Sequence, residues 1–349
     1  MQLITDWFRR QFANPQVVYL TLLLVLGFGV ILSMGDMLLP VLASIVIAYL
    51  LEGLVGLLER KGMGRFIGVL LVFSGFMLFL VLLIFGLLPQ LSRQITELVN
   101  QLPNMISQGQ QALMHLPERY PEIITAEQVQ EVMGSLRTEL ASYGQKVLSL
   151  SLSSLVGLIT LLVYLVLMPL LVFFFLKDKA LIFAWSAHFL PSERALALQI
   201  WEDVDRQIAN YVRGKFWEIV IVGGVSFITF RFFGLNYAVL LAVLVGLSVI
   251  IPYIGAAVVT FPVVLIAWFQ WGWGPDFIWL TAAYFLIQAL DGNVLVPLLF
   301  AAVVNLHPVA IIVAILVFGG FWGFWGVFFA IPLAPLVQAV INAWPAVET

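Results

Sequence analysis

Hydrophobic positions in this chain come in long unbroken runs rather than in the alternating or striped patterns of soluble strands and helices. Residues 17–34, 37–58, 66–88, 147–176, 216–233 and 277–300 each hold enough apolar residues to cross, or nearly cross, a hydrocarbon core of about 30 Å as a helix. Two further stretches, 237–270 and 308–344, are too long for one ordinary span, and Pro or Gly breaks each near its middle. The pattern predicts an all-α polytopic membrane protein with about six full spans and two broken or re-entrant helical hairpins; two long, kinked single spans are the simpler alternative for the broken stretches.

Composition agrees. Of 349 residues, 62 % are hydrophobic and 10 % charged, whereas a soluble domain is about a quarter charged. That excludes a soluble enzyme, a nucleic-acid partner and a disordered chain, and makes the lipid bilayer the first partner. Cysteine is absent, which removes disulfides, thiolate metal sites and thiol chemistry. No small-x-small cleavage site follows residues 17–34, so this first helix is expected to remain. With a cytoplasmic N-terminus, the inner segments 1–16, 59–65 and 177–215 carry 11 Lys and Arg, against 4 in the outer segment 89–146. Positive residues gather on the cytoplasmic side, so the N-terminus is expected inside.

The same pattern divides the chain into an N-terminal transmembrane scaffold (1–88), an extracytoplasmic helical domain (89–146), a span (147–176), a cytoplasmic amphipathic segment (177–215) and a transport half (216–344). In the outer segment, Leu91, Ile95, Leu98 and Leu102 recur at helical spacing; after a break at Pro117 and Pro121, so do Val129, Val132, Leu136 and Leu140. Inside, Trp201, Val204, Ile208 and Tyr211 form a stripe that predicts a helix lying on the membrane face or against a neighbour. Ordinary packing within the molecule is an equal alternative.

The last part of the chain repeats itself. Gly234-Leu235-Asn236-Tyr237 opens a run that breaks at Pro252-Tyr253-Ile254-Gly255, and 71 residues later Asn305-Leu306-His307-Pro308 opens one that breaks between Gly320 and Gly326. Gly255 falls on Gly326, giving repeats over 216–270 and 277–344. Half-segments of about 15 residues reach about 22 Å, short of the core thickness, so each repeat is expected to hold a hairpin, the two inverted with tips near the midplane. Non-helical backbone is tolerated there where it lines a cavity. Trp268, Trp271, Trp273 and Trp279 around Gly272, Gly274 and Pro275 mark an interfacial loop at the exit of the first hairpin, and Trp344 marks the other interface.

Candidate chemistry is sparse. His115, His188 and His307 are scattered, and no metalloprotease, Walker, Rossmann or nucleophile-elbow motif occurs, so no catalytic residue, metal or cofactor is expected. What remains is Gln288-Ala289-Leu290-Asp291-Gly292-Asn293, with Pro297, inside a span. An ionisable residue near mid-span costs about 2.5 to 3.5 kcal/mol to insert, so Asp291 reads as functional. Gly292 weakens the helix and Pro297 offers no N–H to the carbonyl of Asn293. A carboxylate, two amides and that carbonyl suit a cation, a proton or a hydroxyl-rich solute. The candidate substrate or ion site is therefore Gln288, Asp291 and Asn293 with the breaks at Pro252, Tyr253, Gly255, Gly320, Gly323 and Gly326. The plainer reading gives Asp291 a structural bond to the hairpins or to Arg231, taken as the only other clear intramembrane charge of this half.

Several of these strings, in order and over nearly the whole chain, resemble the autoinducer-2 exporter family. They are Gln207-Ile208, Tyr211-Val212-Arg213-Gly214, Gly234-Leu235, Pro252-Tyr253-Ile254-Gly255, residues 288–293 with Pro297, Leu306-His307-Pro308 and Gly319-Gly320-Phe321-Trp322-Gly323. Ala48-Tyr49-Leu50-Leu51 departs from it, being followed by Glu52-Gly53 where many members have proline; that bears on helix shape more than on the site. The resemblance implies a multi-pass bacterial inner-membrane exporter of small solutes, with autoinducer-2 or sodium–proton exchange ascribed to some members. It also implies a homo-oligomer such as a pentamer, with a mobile part sliding, elevator-like, against a fixed one. The competing expectation is a non-transporting scaffold that recruits partners through the outer domain and the inner amphipathic helix.

Overall fold

The computed structural model describes residues 15–119, 155–188, 195–252, 254–300 and 308–343, with isolated positions between 127 and 142. Every element among them is helical and none is a strand. Helices long and apolar enough to cross a membrane run over Met37–Arg60, Arg65–Gln111, Val204–Phe233, Ile254–Trp271 and Pro275–Phe300, with shorter apolar helices at Val163–Lys177, Ala238–Ser248 and Val309–Gly323. Large apolar side chains cover their outward faces: Phe85, Phe232 and Leu298 are 77 %, 84 % and 72 % exposed. Water would penalise such a surface and lipid does not. The protein is an all-α, multi-pass membrane protein.

Helix α1 (Pro15–Arg60) joins the two runs predicted as separate spans through a single non-helical residue, Met34 (φ −122°, ψ 18°), with no loop between them. Helix α2 (Arg65–Leu82) does not stop at the end of its apolar run. A π-helical turn, Leu83–Leu87, passes it directly into α3 (Leu88–Arg119), so the span and the first outer helix are one element; of the break expected at Pro117 and Pro121, Pro117 lies inside α3 and Pro121 outside the described residues. Proline at 89 has no N–H for the carbonyl four residues back and its ring crowds that carbonyl; the wider turn before it, in which Leu88 N–H reaches Leu83 O, accommodates both. The remaining helices are α4 (Leu155–Lys177), α5 (Lys179–His188), α6 (Ala195–Phe233), α7 (Ala238–Ser248), α8 (Ile254–Trp271), α9 (Pro275–Leu290), α10 (Val296–Phe300) and α11 (Pro308–Ala343), with a second π-helical turn, Asp291–Leu295, between α9 and α10. The predicted outer stripe at Val129, Val132, Leu136 and Leu140, and Trp344, lie outside the described residues.

The chain forms two compact units, residues 1–77, 164–218 and 292–349 in one, and 78–163 and 219–291 in the other. The first unit is built on α1, where Ala48, Leu51 and Val55 pack on Val69 of α2 and on Val172 and Leu176 of α4. Gly62 (φ 88°) turns the chain sharply between α1 and α2, where a left-handed residue without Cβ carries no strain. Beyond the turn Arg65 bonds Glu52 and Glu59, each at 3.2 Å, and donates to Leu176 O at 2.7 Å, while Lys179 lies 3.3 Å from Glu52. Arg65 and Lys179, two of the basic residues counted in the inner segments, are thus held in place by carboxylates. The stripe on α6 packs within the molecule: Tyr211 and Val212 are buried with Phe300 and Ile331, while Trp201 at its start is exposed.

In the second unit α7 and α8 lie side by side, as do α8 and α9, and α3 packs on α7. Close approach of α6 and α7 needs glycine: a Cβ on Gly246 would sit 2.9 Å from Ile219 O and 3.1 Å from Gly223 Cα. Two glutamines fix the start of α7. Gln94 of α3 accepts the Leu240 N–H at 2.8 Å, satisfying a donor of the first turn that has no partner within its own helix. Gln270 at the end of α8 accepts Asn236 N–H and donates to Gly234 O, both at 2.8 Å.

Candidate functional site

The first break is a true helix reversal. Helix α7 is apolar throughout and ends at Ser248; the turn is held by Ile250 N–H to Leu247 O (3.2 Å), Ile251 N–H to Ser248 O (3.1 Å) and Gly255 N–H to Ile251 O (2.9 Å). Pro252 at the turn lacks a donor and cannot extend α7. Gly255 is buried, and a Cβ there would fall 1.7 Å from Ser248 O, so the returning chain passes against the carbonyl end of α7 at a separation only glycine permits. The arms are unequal, 11 residues in α7 and 18 in α8, rather than the even halves read from the sequence. Tyr253 lies outside the described residues.

The second break repeats this contact. Within α11 only Gly323 is non-helical, at φ 58° and ψ −135°, a conformation essentially reserved for glycine. The two arms then face each other: Ala314 and Ile315 share a buried cluster with Ala330, flanked by Ile311 and Phe318 from one arm and Val327 and Ala334 from the other. A Cβ on Gly326 would lie 1.8 Å from Phe318 O, the counterpart of Gly255 against Ser248, whereas Gly320 has open space around its Cα. Both broken stretches are hairpins, and the 71-residue repeat is a repeat of structure.

Polar side chains in the second unit form a directed relay. Gln288 Nε2 donates to the Tyr284 hydroxyl at 3.0 Å, that hydroxyl lies 3.0 Å from Thr260 Oγ1, and Thr260 donates to Ala256 O at 2.7 Å. Because Thr260 spends its proton on Ala256, Tyr284 is the donor between the two hydroxyls. The relay uses the amide N–H of Gln288 and not its side-chain carbonyl. Tyr284 is fully buried, with its ring 6.2 Å from that of Phe230. The Thr260–Tyr284 pair also sets the antiparallel register of α8 and α9. Carried along both helices, it puts Gln288 level with Ala256.

Asp291 opens the second π-helical turn, its N–H directed at the carbonyls of Gln288 and Ile287. This turn ends two residues before Pro297, just as the first ends two residues before Pro89. The helix opening foreseen from Gly292 and Pro297 therefore takes the form of a wider turn, a feature frequent at functional sites. Gly292, Asn293 and Pro297 are exposed and Asp291 half-buried. Of the predicted site, Pro252, Gly255, Gln288 and Asp291 belong to the second unit, and Gly292, Asn293, Pro297, Gly320, Gly323 and Gly326 to the first.

The sequence reading passed over several residues. Thr260 and Tyr284 looked like span filler because a single hydroxyl gives no pattern. Glu218, inside the run 216–233, was masked by its apolar neighbours, and Arg231 is therefore not the only other intramembrane charge. Lys215 Nζ lies 2.7 Å from Glu218 Oε2, the side chains 6 % and 3 % exposed. Arg231 is exposed at the last turn of α6, and among the described residues no ion pair joins it to Asp291. The spacing of Lys215 and Glu218, three apart across a predicted membrane boundary, was the available signal.

The sequence profile described as "AI-2E family transporter" matches residues 20–346. The chain is 47 % identical over 345 residues to the protein of Escherichia coli strain K12 named "Putative permease PerM", covering 99 % of this chain and 98 % of that one. It is 28 % identical over 313 residues to the Bacillus subtilis protein named "Putative transport protein YueF", covering 86 % and 82 %.

Proposed function

Because the chain belongs to the AI-2E transporter family, we propose that it is a secondary transporter of a small solute or ion in the bacterial inner membrane, with a cytoplasmic N-terminus and no catalytic step. The observation that carries this reading is the pair of helix hairpins closed at Gly255 and Gly326, with a helix between them in sequence that opens at Asp291. Helix α7, 11 residues long, reaches about 16 Å, half the hydrocarbon core. A helix of that length dips in and returns, which supports re-entrant hairpins. An odd number of crossings between two such hairpins inverts one relative to the other, the arrangement from which many transporters build a midplane site.

In this reading Asp291 is the solute- or ion-binding carboxylate and Gln288, oriented by Tyr284, supplies a carbonyl beside it, with the backbone at Pro252 and Gly255 alongside. Asn293, Gly320, Gly323 and Gly326 serve the second repeat in the same way. The movement is elevator-like and the assembly a homo-oligomer such as a pentamer. The test is flux of candidate solutes and protons in liposomes holding only this protein, together with the sidedness of single cysteines in the naturally Cys-free chain. Position 274 should label from outside and positions 306 and 348 from inside. The reverse labelling at 274 and 306 rules out the inverted hairpins, and absence of any solute, ion or proton flux under imposed gradients rules out transport.

A further inference from the structure

Several charges of the first unit answer one another: Glu52 pairs with Arg65 and Lys179, and Lys215 with Glu218. Asp205 and Arg213 of α6 do not. Among the described residues no ion pair joins either of them to another side chain. Asp205 accepts the Tyr49 hydroxyl, a neutral donor. Arg213 lies along α1, where a Cβ on Gly53 would come 3.3 Å from its Nε, and that Nε is buried without a hydrogen-bond partner. Both residues fall within the candidate span Val204–Phe233, where an unanswered charge is costly.

The two share one groove of about 510 Å³, which runs along α6 from Glu202 and Asp205 past Asn210 to Arg213. Glu202 is exposed at the acidic end, and Arg206, between the two, has an interaction of its own. Eight residues separate Asp205 from Arg213, about 12 Å along the helix. An apolar cavity of about 210 Å³ adjoins the groove between α1, α4, α5 and α6, with Ile45, Ala48, Phe175 and Phe183 in its wall and Glu52 and Lys179 at its charged end. Trp201 lines both, and Tyr49 of the cavity bonds Asp205 of the groove. Along α1 the lining thus passes from apolar Ile45 and Ala48 to Glu52 and, one residue on, to Gly53 against Arg213. Beside the cavity on α5, Leu181 and Trp185 are 70 % and 67 % exposed, a surface that suits lipid.

A bound anion would leave Asp205 unanswered, and a bound cation would leave Arg213 so. A ligand that carries both charges answers both and leaves the net charge of the site unchanged. The guanidinium fork matches a phosphate, and a primary ammonium has N–H donors for the carboxylate. An α-amino acid holds its two charges one carbon apart, too close for anchors two helical turns apart, whereas phosphoethanolamine separates them by a two-carbon bridge. We propose that the groove and its cavity bind a phospholipid with an ethanolamine headgroup: phosphate on Arg213, ammonium on Asp205, and part of one acyl chain among Ile45, Ala48, Phe175 and Phe183. The inference goes beyond the transporter reading and does not depend on it.

The test is native mass spectrometry of the full-length protein, stripped of lipid in mild detergent and titrated with phosphatidylethanolamine, phosphatidylcholine and phosphatidylglycerol of identical chains. Wild type should bind its first phosphatidylethanolamine about tenfold more tightly than either of the others, because the choline headgroup has no N–H and the glycerol headgroup no cation. Asp205→Asn keeps an acceptor for Tyr49 and should erase that preference while leaving phosphatidylcholine binding unchanged. Arg213→Gln should weaken all three lipids alike, by about tenfold. Free phosphoethanolamine, which has no chains, should not displace the lipid at matched concentration. Should Arg213→Gln fail to fold, the wild-type order and Asp205→Asn still decide. Equal binding of the three lipids by wild type, a preference that survives Asp205→Asn, undiminished affinity in Arg213→Gln, or displacement by the free headgroup overturns the proposal. A multimer that Arg213→Gln breaks with lipid binding unchanged overturns it as well, by giving the groove to a second copy of the chain.

Discussion

At the scale of single residues, glycine and one carboxylate carry the sharpest predictions. Gly255→Ala and Gly326→Ala would each drive a methyl into a backbone carbonyl, at 1.7 Å and 1.8 Å, and backbone cannot rotate away as a side chain can. Each should lower stability by about 3 kcal/mol, the upper range of overpacking. Gly224→Ala, on a helix with nothing within 4 Å, should be neutral or stabilising by about 0.5 to 1 kcal/mol. Melting of the detergent-solubilised protein checks all three. Asp291→Asn keeps shape and removes charge. Transport should be lost, or lose its pH dependence, while expression and melting stay near wild type; unfolding would favour a structural role, and unchanged transport would remove Asp291 from the site. Gly255 was legible because repeated sequence put it in register with Gly326. Glu218 was not, because a window average over an apolar run hides one charge whose partner stands outside the run.

At the scale of elements, the two π-helical turns and the Tyr284 relay make separate predictions. Each turn ends two residues before a proline, so proline is the cause assigned to it. Pro297→Ala restores a donor for the carbonyl of Asn293 and should let the helix close, slowing hydrogen exchange across 291–297. Exchange as fast as in wild type would show that Gly292 or the packing sets the turn instead. Tyr284→Phe removes the middle of the relay between α8 and α9. Thr260 keeps its bond to Ala256, Gln288 loses its acceptor, and the cost should be about 1 kcal/mol, read by thermal melting. If Gln288 is a ligand that Tyr284 orients, solute affinity should fall by more than that stability change accounts for.

At the scale of the whole molecule, the expectation is a homo-oligomer, since an elevator-like movement needs a part that stays fixed. Native mass spectrometry in mild detergent should show one multimer, and a stable monomer competent in transport would count against it. The exposed apolar surface around Phe232 and Leu298 suits either lipid or a second copy, and cross-linking through single cysteines at those positions separates the two.

Several features were settled by the sequence alone. Membrane insertion, helical content and the approximate spans follow from runs of apolar residues, because burial of apolar surface and satisfaction of backbone hydrogen bonds in lipid leave a chain of this composition no alternative but helices. The 71-residue repeat and its glycines were equally legible, since a reversal of the chain at such close range admits only that residue. The tertiary structure decided what depends on which distant groups meet. It turned the two broken stretches into hairpins with unequal arms, ran α2 into α3 through a π-helical turn, tied Gln288 to Thr260 through Tyr284, and buried Lys215 and Glu218 beneath Phe300. Periodicity along a chain reports which face of a helix is apolar but not what packs on that face; only the fold brings Thr260 within 3.0 Å of Tyr284 on another helix and sets the ring of Phe300 5.2 Å from Lys215 Nζ.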